Sequence, residues 1–196
     1  QLNPRDELIG LNPHFFGKTR VNVGLNQRIP RHGFPMDGGF IALAQPYGSD
    51  PVRGSFAFVF DTPDYWVHTE LKLPLIATVQ LTAFAQQCVV YENEKEFKLR
   101  TAKYALALSI DAFIALGMTG KNREPLPEPL ATAMVCGPVL DCASVNNPVT
   151  KQPFWWMKIR TAVGELDVVS DPELLPQGVR TNTILQCTAC LAGRIL

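Results

Sequence analysis

Apolar and polar side chains alternate with a period of two along much of this chain, the spacing of half-buried strands. Between Thr19 and Leu25, Val21, Val23 and Leu25 alternate with Arg20, Asn22 and Gly24. Residues 26–39 hold Pro30, Gly33, Pro35, Gly38 and Gly39 and read as a loop. The apolar runs 40–44 and 56–60 flank a segment of Pro, Gly, Ser and Asp, which predicts a hairpin. Asp61, Thr62, Pro63 and Asp64 form a turn. Within 73–91, Val79, Leu81, Ala83 and Ala85 share one strand face and Gln80 and Thr82 the other, so strand is favoured over helix. Glu92 to Lys95 reads as a turn, and Tyr104, Leu106, Leu108 and Ile110 then alternate with Ala105, Ala107 and Ser109 as a further strand. A short helix is expected near the start, where Asn3 caps, Pro4 suits the first helical position, and Asp6 and Glu7 sit at the positive end.

Residues 117–129 concentrate Gly, Pro and charge and are the best boundary in the chain. Beyond them a strand over 131–144 carries Gly137 and Pro138, where a strand bends or bulges. A loop over 146–153, a strand over 154–161, a turn at Ala162, Val163 and Gly164, a return strand over 165–170 and a final strand within 183–195 follow. The hairpin can be read in register: Arg160 faces Glu165, Ile159 faces Leu166, Lys158 faces Asp167, Met157 faces Val168 and Trp156 faces Val169. Trp155, Met157, Ile159, Leu166 and Val168 then form an apolar face, and a slip of one residue would drive charges into the core. No internal repeat is legible in the sequence.

A bent strand with Gly137, a loop through Asn147 and Thr150, a tight hairpin at Gly164 and a final strand resemble the OB-fold over roughly the last third of the chain. The expected fold class is therefore α+β and predominantly β: a β-rich region over 1–128 packed on an OB-like five-strand barrel over 129–196, as two units or one integrated globule. The resemblance implies ligands on the second and third strands and the flanking loops. That points to Phe154, Trp156, Lys158 and Arg160, with Asn147 and Lys151 of the first loop. Aromatics that stack bases beside cations that hold phosphates make a single-stranded nucleic-acid platform. Glu165 and Asp167 lie opposite those cations, however, and the competing expectation is that Phe154 and Trp156 pack beneath the N-terminal region.

Charge narrows the picture. Eighteen basic and eighteen acidic residues give a net charge of zero, which disfavours nucleic acid as a partner. No uncharged apolar run reaches the roughly 18 residues of a membrane helix, and Gln1 to Arg5 shows no signal-peptide pattern. Five cysteines without framework spacing read as free thiols in a reducing compartment, so a cytoplasmic location is expected. Cys187 and Cys190 match C-x-x-C, but three residues along a strand they point to opposite faces and cannot clamp one metal.

His14, His32 and His68 are scattered, no nucleophile elbow occurs, and the glycines at 33, 38 and 39 fit turns rather than a phosphate loop. The reading is thus a non-catalytic binding protein of unassigned ligand, with no catalytic residue, metal or cofactor. Single-stranded nucleic-acid binding is one alternative. A small hydrolase using acids near Asp61 (Asp64 and Glu70 among them) and His68, between the two regions, is another. A homodimer through an apolar edge around Cys190 and Ala192 fits the zero net charge.

Overall fold

Two long strands, paired with each other, organise the molecule. The computed structural model describes residue 5 and residues 12–32, 34, 36–103, 108–120 and 124–196. Along the chain come β1 (Val21–Pro30), β2 (Gly38–Ala44), β3 (Phe56–Thr62), β4 (Leu75–Tyr91), α1 (Glu94–Thr101), β5 (Phe113–Ala115), β6 (Thr132–Asn146), β7 (Pro153–Thr161), β8 (Gly164–Ser170) and β9 (Ile184–Ile195). Single turns of 3₁₀ helix, Tyr65–His68 and Pro172–Leu174, interrupt the β3–β4 and β8–β9 connections. The protein is predominantly β, and among the described residues all nine strands belong to one sheet.

β4 and β9 run antiparallel from Val79 opposite Ile195 to Tyr91 opposite Ile184. Ala77, Val79, Leu81 and Ala83 of β4 are buried on one face. A bulge between Ala85 and Gln87 shifts the phase by one residue, so that Cys88 and Val90 continue the core-facing row. The first part of β4 pairs with β1 and its middle pairs in parallel with β8. Most of β9 pairs with β6, and Ala192 pairs in parallel with Asp61 of β3.

These pairings close two rings that share the β4–β9 ladder, β1-β2-β3-β9-β4 and β6-β7-β8-β4-β9. The rings are related by an approximate two-fold exchange of β1 with β6, β2 with β7, β3 with β8 and β4 with β9. Each half is an antiparallel three-strand meander followed by a long fourth strand, and that fourth strand fills the fifth place of the other half. The first strand of each meander is bulged at a matching point, between Leu25 and Gln27 in β1 and between Val139 and Asp141 in β6. Both third strands lead into a 3₁₀ turn. The sequence conceals this repeat because the two halves share hydrogen-bond topology and not side chains.

Gln45 Nε2 donates to the Ala162 carbonyl at the β7–β8 turn over 2.6 Å. A common core fills the enclosed space with Phe40, Phe58, Phe60, Leu81, Met157 and Leu166, all fully buried. Each such side chain contributes about 1.5–3 kcal/mol. Phe113 of β5 bridges the halves, with its ring 5.4 Å from Phe56 and 5.3 Å from Phe58 of β3.

Several expectations hold in detail. The 40–44 and 56–60 runs form the β2–β3 hairpin with Phe40 opposite Phe60, the strand favoured within 73–91 is β4, Leu75–Tyr91, and the β7–β8 register is the one read from charge and hydrophobicity, pair for pair. Others are corrected. β1 runs on to Pro30 where a loop was expected; Asn26 sits at its bulge, and its side-chain amide donates to the carbonyls of Gly24 and Pro51. The turn expected at 92–95 starts α1 instead. Asn93 caps that helix by accepting from the Glu96 amide, and Glu96 reaches back to the Glu92 amide. Tyr104 to Ala107 and the helix expected from Asn3 fall outside the described residues, while Leu108 to Ala112 are not strand. Residues 129–196 supply four strands and not five. β9 is no edge, since Cys190 pairs with Phe84 on one side and Thr132 on the other. Among the described residues no helix is long and apolar enough to cross a membrane.

Candidate functional site

The alternation of β7 sends Phe154, Trp156, Lys158 and Arg160 to the outer face of the sheet, as expected. There the segment before β1 reaches Phe154 and the neighbouring Asp167. Phe154 is half-buried and meets Phe15 edge-on at 6.1 Å. Trp156 is also half-buried, and its Nε1 donates over 2.8 Å to Oδ1 of Asp167. Asp167 is fully buried, and its other oxygen accepts from the amide and hydroxyl of Thr19 at 3.2 and 2.7 Å and from Gln80 Nε2 at 3.4 Å. Lys158 pairs with Glu165 at 3.3 Å, while Arg160 is exposed. Asn147 folds its own loop, its side-chain oxygen accepting from the amides of Val149 and Thr150. Lys151 is exposed and donates to the Pro148 carbonyl at 2.6 Å. The strand thus sets the first four residues on one face, and the last two lie in the loop before it, bonded within that loop.

The acids and histidines proposed for hydrolysis spread over several contacts. Asp61 is bound by Arg31 at 2.6 Å. Burial raises the Asp61 carboxyl above its ordinary value, and the Arg31 charge opposes that shift. His68 Nε2 lies 3.5 Å from Asp64 Oδ2, within ion-pair reach but outside hydrogen-bond alignment. Asp64 also accepts from the Thr62 hydroxyl at 2.6 Å. His14 stacks edge-on to Phe16 at 4.3 Å, and His32 pairs with Glu128. Trp66 is exposed. Among the described residues no group of three or more His, Cys, Asp or Glu could hold a metal ion.

Sequence reasoning missed a cavity of about 600 Å³ at the mouth of the second ring. Its wall on β4 is Cys88 and Val90, the residues that the bulge returns to the core-facing row. β7 contributes Trp155, and the β8–β9 connection wraps the rest with residues 174–180 and Thr183. Gly178, at φ 72°, lies against the Trp155 ring, where a Cβ would sit 3.2 Å from the nearest ring carbon. Apolar groups (Val90, Trp155, Leu175, Val179) line one side, and an exposed ion pair, Glu92 with Arg180, stands at the rim.

The matching end of the first ring carries an aromatic side chain, Tyr65. Alignment of the two halves on their bulges sets Gly38 of β2 against Trp155 of β7. The Tyr65 ring, from the first 3₁₀ turn, lies over Gly38, where a Cβ would come within 2.6 Å of it. Tyr65 also packs at 5.9 Å from Phe40.

Cys88, in the cavity wall, faces a second thiol. Cys88 is the register partner of Cys187 across the β4–β9 ladder, and its Sγ lies 3.7 Å from the Ser170 hydroxyl. The hydrogen bond from Cys187 holds the Cys88 thiol below its ordinary value; burial opposes this, and Ser170 adds to it. Cys187 is fully enclosed and shifted upward by holding that proton and by burial. Cys190 points to the other face of β9, as the strand spacing required, and receives Gln86 Nε2 at 3.1 Å. No family model, curated protein or solved structure matches this chain.

Proposed function

We propose that this chain is a non-catalytic binding protein whose ligand is a small amphipathic molecule held in the mouth of the second ring. The carrying observation is the asymmetry between two equivalent barrel ends, one stoppered by Tyr65 and the other opening on about 600 Å³. Barrel mouths with apolar walls and few polar groups are recurrent small-molecule sites. An apolar body would lie on Trp155, Val90 and Leu175, and an anionic or hydrogen-bonding end would reach Arg180 and Thr183.

The OB-like reading of residues 129–196 is supported by the five-strand ring β6-β7-β8-β4-β9, in which β4 takes the fifth place. On that reading Phe154, Trp156, Lys158 and Arg160 would face single-stranded nucleic acid. Phe15, the Trp156–Asp167 hydrogen bond and Glu165 already engage Phe154, Trp156 and Lys158 and leave Arg160 alone exposed, so we assign the ligand to the mouth and not to the outer face.

Anilinonaphthalene sulfonate, an aromatic anion, tests the proposal. The folded protein should bind it saturably at one site, and Val90→Trp, which places an indole on the cavity wall where the ligand's apolar body would lie, should abolish that binding while near-ultraviolet circular dichroism stays native. Equal binding by the variant, or none by the wild type, removes the reading.

A further inference from the structure

We propose that Cys88 and Cys187 form a peroxide-responsive dithiol, closing a cross-strand disulfide with Cys88 as the attacking sulfur. The proposal does not depend on what the cavity binds and concerns the protein with the mouth empty. Its foundation is the ladder: residues directly opposite in an antiparallel pair have Cα atoms about 4.5 or 5.5 Å apart, inside the roughly 4.4–6.8 Å that a disulfide spans. Cys88 and Cys187 are such a pair, both on the core-facing side. The bulge that returns Cys88 to this side therefore also creates the pairing. The Cα spacing of a directly opposed pair thus falls within the disulfide range.

The two thiols are differentiated by place. Cys88 lines the open cavity and is reachable by a small oxidant, whereas Cys187 is only 2% exposed. The hydrogen bond from Cys187 and the Ser170 hydroxyl favour the Cys88 thiolate, the reactive form. Ser170 also lies 3.0 Å from the Asp171 carbonyl, so its one proton can turn from that oxygen to the sulfur as charge develops. The remaining thiols are poorer nucleophiles: burial pushes Cys136 up to about 12 and raises Cys142 and Cys190.

The chemistry balances with a hydroperoxide as oxidant. The Cys88 thiolate attacks the terminal peroxide oxygen, the O–O bond breaks, and the alkoxide (hydroxide, for hydrogen peroxide) leaves and takes up a proton. Cys88 is then a sulfenic acid. The Cys187 sulfur attacks the Cys88 sulfur, the S–O bond breaks, and the departing hydroxide leaves as water with the Cys187 proton. Two thiols are oxidised by two electrons to one disulfide, and the peroxide is reduced by two.

Hydrogen peroxide, followed by thiol titration in denaturant and peptide mapping, tests this. The wild type should fall from five free thiols to three (five less two) with Cys88 linked to Cys187, and dithiothreitol should restore five. Cys88→Ser should keep all its four thiols (five less one) under the same treatment. Cys187→Ser should stop at a Cys88 sulfenic acid that dimedone traps. Five surviving thiols in the wild type, or a linkage between any other pair, overturns the proposal. Should either variant fail to fold, iodoacetamide on the native wild type decides: it should alkylate Cys88 first and thereby block the disulfide, and first alkylation elsewhere counts against the assignment.

Discussion

Thr19 and Asp167 stand 148 positions apart and meet through a 2.7 Å hydrogen bond, the contact that ties the segment before β1 to the outer face of β8. Asp167 is fully buried, so its carboxylate depends on its donors from Thr19, Gln80 and Trp156 for the solvation that water would supply. Asp167→Asn presents an amide hydrogen where only donors point. Urea unfolding should show a loss of about 2–4 kcal/mol, and anilinonaphthalene sulfonate binding at the mouth should persist.

Gly17 tests the same strap by sterics. A Cβ at this position would fall 1.8 Å from Oδ2 of Asp167, so Gly17→Ala must lift the strap or break the Thr19 contact. Destabilisation of about 1–3 kcal/mol is expected, with faster proteolysis ahead of β1. Wild-type stability in this variant would mean that the strap is not held by Asp167.

The outer face shows how far sequence reaches. The β7–β8 register was legible because any slip moves Lys158 and Asp167 to the apolar side, a local penalty that a single hairpin reports. Long β4 was legible because Gln80 and Thr82 hold one parity against Val79 and Leu81. What covers Phe154 and Trp156 was legible only as one of two options, since the Thr19–Asp167 contact spans most of the chain. α1 escaped because Glu94, Lys95, Lys98 and Arg100 leave no apolar stripe; it is held by the Asn93 cap, by the Glu94–Lys98 and Glu96–Arg100 pairs and by the buried Phe97. The Cys88–Cys187 juxtaposition was hidden because it requires both the β4–β9 pairing and the position of a bulge.

Asn93→Ala removes the side chain that accepts from the Glu96 amide. A loss of about 1 kcal/mol is expected, read by thermal or urea unfolding, with no change in ligand binding or in the thiol chemistry at Cys88. A loss near zero would place the helix's stability in its packing through Phe97, which is fully buried.

Asp61 supplies a pH prediction whose sign runs against that of an ordinary ion pair. Its folded-state carboxyl lies above the ordinary 3.8, burial outweighing the Arg31 charge. A raised folded value means the native state binds the proton more tightly than the unfolded chain. The contribution of Asp61 to stability is therefore fully present below 3.8 and is lost as pH rises through the folded value. The stability of wild type relative to Asp61→Asn should fall as pH rises above 3.8. A difference that grows with pH would show that the Arg31 pair outweighs burial.

Tyr65 offers a test of the two-fold relation itself. If the two ring ends are equivalent and differ only in their stoppers, Tyr65→Ala should open the first end much as the second is open. The side chain is 7% exposed and packs on Phe40, so its removal should cost about 3–5 kcal/mol. The informative readout is stoichiometry. Anilinonaphthalene sulfonate should bind the folded variant at a second site, and Val90→Trp in the same chain should remove the original site while sparing the new one. A variant that keeps its fold and still binds at a single site would mean that the first ring collapses around the lost ring, and that Tyr65 is core rather than stopper.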